Sequence, residues 1–301
     1  MITTDADAFL DTFRRLPTAS PATARAAFLV SPLGFALADE SATDNRYMDL
    51  AVDVDPRRAL AQHAELARSL ADDVPVVSFP GDPAAPDGLF PNNVFATVPG
   101  RLIVGRMRHA VRQREAARAD IRAWFVDLLG YSVNELPTVG VAELTGSLVI
   151  DRSRRVGFCG LSERCDMAGA RAMHDAFDLE LTYCFPLAAG EYHTNVVLAV
   201  LAGRAALIAA DGFAEERAAN AVSAAYAGRT IALDPAQKRA FAANAISLGA
   251  DRVWMSATAA ASLSTLQRHA LADAGFAIGA VELDEIEKAG GSLRCCVAEI
   301  F

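Results

Sequence analysis

The stretch Asn195-Val-Val-Leu-Ala-Val-Leu-Ala-Gly203-Arg204-Ala-Ala-Leu-Ile-Ala209 contains two apolar runs separated by Gly203-Arg204. Apolar runs on both sides of a short, glycine-containing turn predict a tight β-hairpin. Residues 214–226 are rich in alanine and carry their charges on one side, which predicts a helix, and residues 230–233 predict a short strand. The unit is therefore strand, strand, helix, strand.

The same order of elements recurs upstream and downstream of this unit. Residues 94–136 and residues 147–185 repeat it, and residues 112–129 read as one long amphipathic helix within the first of these copies. Residues 245–283 give a weaker copy. The chain therefore consists largely of ββαβ repeats.

A fifth copy is split between the two ends of the sequence, residues 292–301 and residues 26–79. A repeat shared by both ends closes a ring, because the last strand pairs with the first and leaves no open edge. The pattern predicts an α/β fold of five units, a pseudo-symmetric α/β propeller that forms a single domain over residues 1–301. An ordinary α/β sheet in an alanine-rich chain is the alternative.

Composition excludes several classes of protein. The formal net charge is −9, and lysine occurs only at Lys238 and Lys288, so no basic surface for nucleic acid is expected. No run of 18 or more apolar residues and no apolar leader is present, which predicts neither a membrane span nor a signal peptide. Five irregularly spaced cysteines argue against a disulfide framework and favour the cytoplasm. No cysteine or histidine spacing suggests a metal site.

Four polar residues stand at near-regular intervals: Asn93, Glu143, His193 and Cys295. The first two gaps are 50 residues each, and the third is 102, about twice as long. An internal repeat in which each copy delivers one side chain to a common centre would produce this spacing. A cysteine, a histidine and a carboxylate gathered there would provide a nucleophile, an acid/base and an orienting group.

Each of these residues also has a structural interpretation. Cys295 follows the paired glycines Gly290-Gly291, which permit a tight turn and close approach of a substrate, but a buried structural thiol is the more common role for a cysteine. A thiolate nucleophile would need a nearby cation or a substrate charge to lower its pKa. His193 follows a Gly-Glu turn, and an isolated histidine is usually structural. A single carboxylate such as Glu143 usually faces solvent.

Other polar residues are candidates for binding a substrate. Asn92 and Asn93 precede an apolar strand, where amides either form a turn or bind a planar polar ligand. Arg164 is either a surface arginine near a helix start or a bidentate partner for a carboxylate. Residues 37–48, which contain several acidic side chains, form either a lid or an ordinary surface loop.

Together these segments resemble the guanidino-group-modifying enzymes, the amidinotransferase and arginine deiminase superfamily with the five-bladed pentein α/β-propeller. The resemblance extends over nearly the whole chain, from about residue 31 to residue 301. It is carried by Phe90-Pro91-Asn92-Asn93-Val94-Phe95, Glu143 with Thr145-Gly146-Ser147, Tyr192-His193-Thr194-Asn195 and Gly290-Gly291-Ser292-Leu293-Arg294-Cys295. The branch of amidinotransferase-like citrulline and arginine hydrolases looks most similar. The run Gly160-Leu161-Ser162-Glu163-Arg164 is also similar to the dimethylarginine dimethylaminohydrolases.

The resemblance implies a role for each matching position. Cys295 is implied as the nucleophile, His193 as the acid/base, and Glu143 as the carboxylate that orients His193 or a substrate nitrogen. The remaining matches are implied as substrate-binding residues: Asp87, Asn92 and Asn93 near the planar head group, Arg164 on the α-carboxylate, and Asn195 two residues after the histidine.

The sequence departs from the deiminase pattern, which has aspartate where this chain has Asn93 and often where it has Asn195, and glycine where it has Leu144. An amide cannot neutralise a guanidinium, but its donor and acceptor suit a neutral ureido group. The resemblance therefore implies a hydrolase that releases ammonia and CO2 from citrulline or arginine to give ornithine through a covalent intermediate, with no metal or cofactor.

Alternatives remain open. A dimethylarginine hydrolase or an arginine deiminase would produce citrulline, an amidinotransferase would transfer the group, and a non-catalytic pentein would only bind a partner. We expect a small-molecule guanidino or ureido substrate, no nucleic acid and no membrane partner, and we leave the formation of a homodimer open.

Overall fold

The computed structural model describes residues 1–301 and contains five separate β-sheets. Strands β1 to β15 are, in chain order, Ile2–Thr3, Ala26–Val30, Val76–Phe79, Phe95–Val98, Arg101–Val104, Ser132–Glu135, Leu148–Asp151, Val156–Leu161, Leu181–Pro186, Leu198–Leu201, Ala205–Ile208, Thr230–Ala232, Arg252–Ser256, Ala277–Val281 and Ala298–Ile300. The strand orders are β15-β2-β3, β4-β5-β6, β1-β9-β8-β7, β10-β11-β12 and β13-β14. The prediction of an α/β fold is confirmed.

The repeating unit has the pairing that the sequence predicts. Strands β10 and β11 form an antiparallel hairpin in which Leu201 faces Ala205, and β12 returns parallel to β11 after the helix Glu216–Ala225. The turn needs left-handed backbone at Ala202 (φ 45°) and Gly203 (φ 65°), a conformation that glycine adopts at little cost. The units β4-β5-β6 and β7-β8-β9 show the same antiparallel and then parallel pairing.

The split unit also forms as predicted. Strand β15 pairs antiparallel with β2, and β2 pairs parallel with β3, so residues from both ends of the chain share one sheet. The sheet β4-β5-β6 contacts this split sheet through Thr97 in β4. The Thr97 hydroxyl donates a hydrogen bond to the Glu299 carbonyl and accepts one from the backbone N–H of Phe301. The arrangement of the five sheets as blades around one axis stays a prediction.

Thirteen α-helical segments connect or flank the strands. They are Ala6–Phe13, Asp39–Ala42, Pro56–Leu70, Ala110–Ala116, Ala119–Ala123, Leu144–Ser147, Met167–Ala176, Glu216–Ala225, Pro235–Arg239, Ala257–Ser262, Thr265–Asp273, Asp284–Glu287 and Leu293–Cys296, with a π-helical turn at Trp124–Leu128. None is long and apolar enough to cross a membrane.

Two details differ from the expected elements. The single helix over residues 112–129 is wrong: the helix breaks because Arg118 is extended (ψ 101°), and the Arg118 guanidinium instead binds the carbonyl of Pro80 and the carboxylate of Asp120. The weaker fourth copy has a sheet of only two strands. In place of its first strand there is a single antiparallel bridge between Ile246 and Trp254.

The predicted site residues share one local setting. Asn93 closes the 3-10 turn Pro91–Asn93, and Cys295 lies in the short helical segment Leu293–Cys296. Glu143 and His193 each immediately precede such a turn. Every one of these turns leads into the first strand of a unit, so the repeat presents these residues at equivalent positions.

Candidate active site

A small cavity lies where four of the predicted residues meet. Its walls are formed by Ser41, Asn45, Met48, Asp87, Phe90, Asn93, Arg112, Arg164, Tyr192, Ala289, Gly291 and Cys295. Asp87, Asn93, Arg164 and Cys295 thus line one enclosure although they are far apart in sequence. A concave, mostly buried space with converging polar groups is the usual form of a small-molecule site.

Glu143 and His193 form a fully buried pair beside this cavity. His193 Nε2 lies 2.8 Å from Glu143 Oε2, which also accepts a hydrogen bond from Arg164 Nη1 at 3.2 Å. A Cβ atom on Gly146 would come within 2.7 Å of the His193 ring, so only glycine leaves the ring room in this position. Arg164 thus connects the pair to the cavity wall.

The protonation states follow from this arrangement. Burial opposes charge on Glu143, but Arg164 and His193 outweigh it and hold the pKa of Glu143 well below its usual range. Burial lowers the pKa of His193 more than Glu143 raises it, so the imidazole is neutral near pH 7. Its Nδ1 atom is buried without a hydrogen-bond partner. A neutral imidazole oriented by a carboxylate can accept and return a proton.

Cys295 is buried and is surrounded by amides rather than cations. Its Sγ lies 3.3 Å from Asn244 Nδ2 and 3.6 Å from Asn195 Nδ2. Burial raises the pKa of the thiol above its ordinary value. No cation is among the hydrogen-bond partners of the sulfur, although the charge on Arg294 opposes the effect of burial on the pKa of the thiol.

Arg164 is already paired in this structure. Its Nε lies 2.9 and 3.0 Å from the two carboxylate oxygens of Asp44, and its Nη2 donates to the Ser41 carbonyl at 3.0 Å. The carboxylates of Glu143 and Asp44 outweigh the effect of burial and raise the pKa of Arg164. A substrate carboxylate would therefore have to share or displace Asp44.

The remaining predicted binding residues separate into two groups. Asp87 and Asn93 face the cavity, and Asp87 Oδ1 and Asn93 Oδ1 have no hydrogen-bond partner. Asn92 is buried but does not line the cavity, and its backbone carbonyl accepts a hydrogen bond from Thr145 Oγ1 at 2.8 Å. Asn195 contacts Cys295 and lines a neighbouring cavity instead.

Residues 37–48 cover the cavity in this structure. Ser41 donates a hydrogen bond to Asp87 Oδ2, and Asn45 Nδ2 donates to the Gly290 carbonyl at 3.3 Å. Met48 pairs with Ala289 across the same opening. The segment has the position of a lid, and its opening stays a prediction.

Two buried residues of the site were missed from the sequence. Arg112 lines the cavity and pairs with Glu115 at 2.7 Å, but in sequence it looks like one more charge on an amphipathic helix. Asn244 contacts Cys295 but lies in the weakest repeat. No group of three or more His, Cys, Asp or Glu side chains is arranged to hold a metal ion.

Comparison with known proteins gives a family match over most of the chain. Residues 31–301 match the model of a family described as N,N dimethylarginine dimethylhydrolase, eukaryotic. The bifunctional arginine dihydrolase/ornithine cyclodeaminase ArgZ of Synechocystis sp. (strain ATCC 27184 / PCC 6803 / Kazusa) is 26% identical over 225 residues. The match covers 71% of this chain but only 29% of ArgZ, so the chain spans less than a third of that relative.

Solved structures show the same fold. The N-terminal domain of ArgZ bound to substrate, described as an arginine dihydrolase from the ornithine-ammonia cycle in cyanobacteria, superposes with a TM-score of 0.79 at 22% identity and covers 91% of this chain and 97% of that chain. The structure of a dimethylarginine dimethylaminohydrolase adduct with S-methyl-L-thiocitrulline superposes with a TM-score of 0.71 at 20% identity. It covers 92% of this chain and 100% of that chain.

Proposed function

The chain belongs to the N,N-dimethylarginine dimethylhydrolase family, and on that premise we propose that it is a cysteine-dependent hydrolase that converts citrulline, arginine or both to ornithine. Membership places it among hydrolases that act on carbon–nitrogen bonds other than peptide bonds in linear amidines and ureides. The proposal adds the substrate, the products and the roles of individual side chains.

The observation that carries the proposal is the pair of unpartnered oxygens in the cavity wall. Asp87 Oδ1 and Asn93 Oδ1 are both buried acceptors without donors. Buried polar atoms are nearly always paired in native proteins, so these two await a ligand that donates. A guanidino or ureido group supplies several N–H donors in one plane, and Cys295 lines the same cavity.

Relatives support covalent chemistry at this site. One structure of the N-terminal domain of ArgZ holds a covalently bound reaction intermediate, and the dimethylarginine dimethylaminohydrolase structure holds an adduct. We assign the covalent bond in this chain to Cys295, because its sulfur is the one thiol among the residues that line the cavity.

In the first step, neutral His193 takes the proton of the Cys295 thiol and becomes an imidazolium, and the thiolate attacks the ureido carbon of citrulline. His193 protonates the departing nitrogen, the bond from carbon to that nitrogen breaks, and ammonia leaves. The product is a thiocarbamate in which the carbon is bound to the sulfur and still carries the ornithine chain. Glu143 orients His193 and offsets the charge that the imidazole gains.

In the second step, neutral His193 takes a proton from water, and the hydroxide attacks the thiocarbamate carbon. The carbon–sulfur bond breaks, the thiolate is released, and the N-carboxylated ornithine loses CO2. With arginine, the corresponding thiouronium gives citrulline first, and the same cycle then repeats. Fixed orientation of a planar carbon between Asp87 and Asn93 supplies the proximity that this chemistry needs.

The other end of the substrate is held by cations. Arg164 and Arg112 both line the cavity, and either can bind a carboxylate in a bidentate manner. Arg164 accepts the substrate carboxylate once Asp44 gives way.

We further propose that the five sheets form the blades of one propeller in a single domain over residues 1–301, because the split sheet joins both ends of the chain.

A second candidate function is hydrolysis of dimethylarginine to citrulline. It is favoured by the family match and by Asp87, which keeps one carboxyl group in the cavity for a cationic head group. Asn93 argues against it, because an amide cannot form the second charge-assisted pair with a methylated guanidinium.

The test is product analysis by mass spectrometry after incubation with citrulline, arginine or dimethylarginine. The proposal expects ornithine from citrulline or arginine with the wild type and no product with Cys295→Ala. Cys184→Ala, which removes a buried thiol that does not line the cavity, should keep activity. Citrulline as the final product from dimethylarginine would favour the second candidate, and turnover of none of the three would refute the substrate assignment.

A further inference from the structure

We propose that Asn244 is a further catalytic residue, whose carboxamide fixes Cys295 and donates a hydrogen bond that stabilises the sulfur as an anion. This inference rests on the proposed function, in which the Cys295 sulfur is the reacting atom. It adds a group from the one repeat to which no functional residue had been assigned.

The contacts join Asn244 to Cys295 at both ends of its carboxamide. Asn244 Nδ2 lies 3.3 Å from Cys295 Sγ and donates to the carbonyl oxygen of Asn195 at 3.0 Å. Asn244 Oδ1 accepts a hydrogen bond from the backbone N–H of Cys295 at 3.3 Å. The Asn244 side chain is fully buried.

These partners fix which end of the amide faces the sulfur. The backbone N–H of Cys295 can only donate and the carbonyl of Asn195 can only accept, so Oδ1 must face the former and Nδ2 the latter. One hydrogen of the NH2 group is used by Asn195, and the other is left for the sulfur. An amide nitrogen cannot accept a proton from a thiol, so the contact favours the thiolate, which receives a charge-assisted hydrogen bond.

Asn244 is the closest side-chain donor to the sulfur. Asn195, the second amide, approaches with Nδ2 at 3.6 Å and Oδ1 at 3.9 Å. Burial raises the pKa of the Cys295 thiol, and the hydrogen bond from Asn244 is the largest of the influences that oppose it, ahead of a hydrogen bond with the Ser292 backbone and the charge on Arg294. Asn244 is therefore the largest single group that favours the anion before a substrate binds.

The repeat gives independent support. With Asn244 included, the polar positions are Asn93, Glu143, His193, Asn244 and Cys295, and the gaps become 50, 50, 51 and 51 residues. The double-length gap before Cys295 is thereby divided into two ordinary ones. Each of the five units then contributes one polar side chain from an equivalent turn, and the turn at Asn244 is closed by a hydrogen bond to the Phe241 carbonyl at 2.8 Å.

The test measures the reactivity of the sulfur directly. The rate of Cys295 alkylation by iodoacetamide is followed against pH by peptide mass spectrometry, in a Cys296→Ala background so that the adjacent thiol does not contribute. One variant is Asn244→Asp, which is isosteric but replaces the amide donor by a carboxylate acceptor. The other is Asn244→Ser, whose shorter side chain removes the amide donor from the sulfur. Asn134→Asp, in a strand outside the cavity, is the matched control for the added charge.

We expect Asn244→Asp to raise the apparent pKa of alkylation by about one pH unit or more, which is roughly a tenfold slower reaction at neutral pH. Asn244→Ser should shift it in the same direction by less, and Asn134→Asp should not shift it. The other charged or titratable groups near the sulfur are Arg294, Tyr192, Asp87, Arg112, Arg164 and His193. They are present in every variant, so the difference between variants isolates Asn244.

Unchanged alkylation profiles in folded Asn244→Asp and Asn244→Ser would overturn the inference. If neither variant folds, the wild type provides the readout: the side-chain amide nitrogen of Asn244 should shift in NMR spectra with the pKa found by alkylation, and this titration should vanish in Cys295→Ala. A missing titration in the wild type would equally refute it. None of these measurements uses a substrate, so they remain decisive even if citrulline and arginine are not turned over.

Discussion

Asn93 and Asp87 face the same cavity with unpartnered oxygens, but only Asp87 carries a carboxyl group. Burial raises the pKa of that carboxyl, although Arg112 opposes the effect. The head-group side of the cavity thus holds little negative charge. A neutral ureido group can be accommodated there without an unpaired ion, whereas a guanidinium has at most one carboxylate to pair with.

Replacing Asn93 by aspartate should therefore change the preference between substrates. We expect Asn93→Asp to raise kcat/KM for arginine relative to citrulline by about five- to thirtyfold, because a charge-assisted pair is worth about 1–2 kcal/mol more than a neutral hydrogen bond. Steady-state kinetics on both substrates measure the ratio, with Asn134→Asp as the control. An unchanged ratio would show that Asn93 does not contact the head group.

Among single residues, the sequence singled out some members of the candidate site and missed others. Cys295, His193 and Glu143 stood out because their spacing and neighbouring motifs coincide, and their roles stay predictions. Asn244 escaped because its unit has lost the first strand of its sheet, so the hairpin pattern that marks the other units is absent. The pairing of Arg164 with Asp44 could not be predicted, because it joins a lid residue to a loop 120 residues away.

At the scale of elements, the segment of residues 37–48 is held by polar contacts and by apolar packing of Tyr47 and Met48. Asp44 binds Arg164 and also approaches His109 Nε2 at 3.0 Å, and Tyr47 donates a hydrogen bond to Glu191 at 2.7 Å. The polar contacts can be exchanged for those of a substrate. This makes the segment suited to admit and enclose a ligand.

Removing the charge of Asp44 should loosen the segment. We expect Asp44→Asn to reduce hydrogen-exchange protection of residues 37–48 by about five- to tenfold, since a buried charge-assisted pair is replaced by a neutral contact worth about 1–1.5 kcal/mol less. Asp53→Asn, an exposed acidic position, should leave protection unchanged. Equal exchange in wild type and Asp44→Asn would mean that Asp44 does not hold the lid.

The helix Pro56–Leu70 carries a pH-sensitive residue. His63 is buried on it with Nε2 unpaired, and burial lowers its pKa from 6.5 to about 4. The folded protein therefore binds this proton less well than the unfolded chain does. The resulting stability is complete above pH 6.5 and is lost as the pH falls toward 4, by up to roughly 3 kcal/mol.

Chemical denaturation at pH 7 and pH 4.5 tests this. We expect the free energy of unfolding to fall less between the two pH values in His63→Gln than in the wild type, by about 1–3 kcal/mol, because glutamine does not titrate. His269→Gln, on the helix Thr265–Asp273, serves as the control. Identical pH dependence in wild type and His63→Gln would exclude His63 as the source.

Helices and strands were predicted correctly where the local sequence pattern determines the element. They were missed where contacts with distant residues determine it. The hairpin around Gly203 formed as expected because apolar runs and turn chemistry agree. The long helix expected over residues 112–129 is broken at Arg118, whose backbone is not helical and whose guanidinium binds Pro80 and Asp120. Strand β1, Ile2–Thr3, pairs with β9 across the molecule, and two residues carry no strand signal of their own.

At the scale of the whole molecule, the sheet β15-β2-β3 links the two ends of the chain. Ile300 is buried in this sheet beside Phe28 and Phe95, and Tyr131 donates a hydrogen bond to the Phe301 carbonyl. Loss of this sheet would expose the edges of its neighbours. Its stability should therefore be coupled to that of the entire structure.

The predicted single domain implies one cooperative transition. Ile300→Ala should lower the free energy of unfolding by about 2–5 kcal/mol, the usual cost of a large-to-small change in a core, while thermal unfolding stays a single transition. Circular dichroism and calorimetry measure both quantities, and Leu266→Ala, at an exposed position, is the control. A separate early transition in Ile300→Ala would show that the split sheet unfolds independently.

The most direct measurement of the central claim is peptide mass spectrometry of the wild type, rapidly quenched in acid during turnover of ¹³C-ureido citrulline. The mechanism predicts a labelled adduct on Cys295 whose mass is that of citrulline less ammonia, and no adduct or ornithine with Cys295→Ala. Ornithine formed at the wild-type rate by Cys295→Ala would contradict the account.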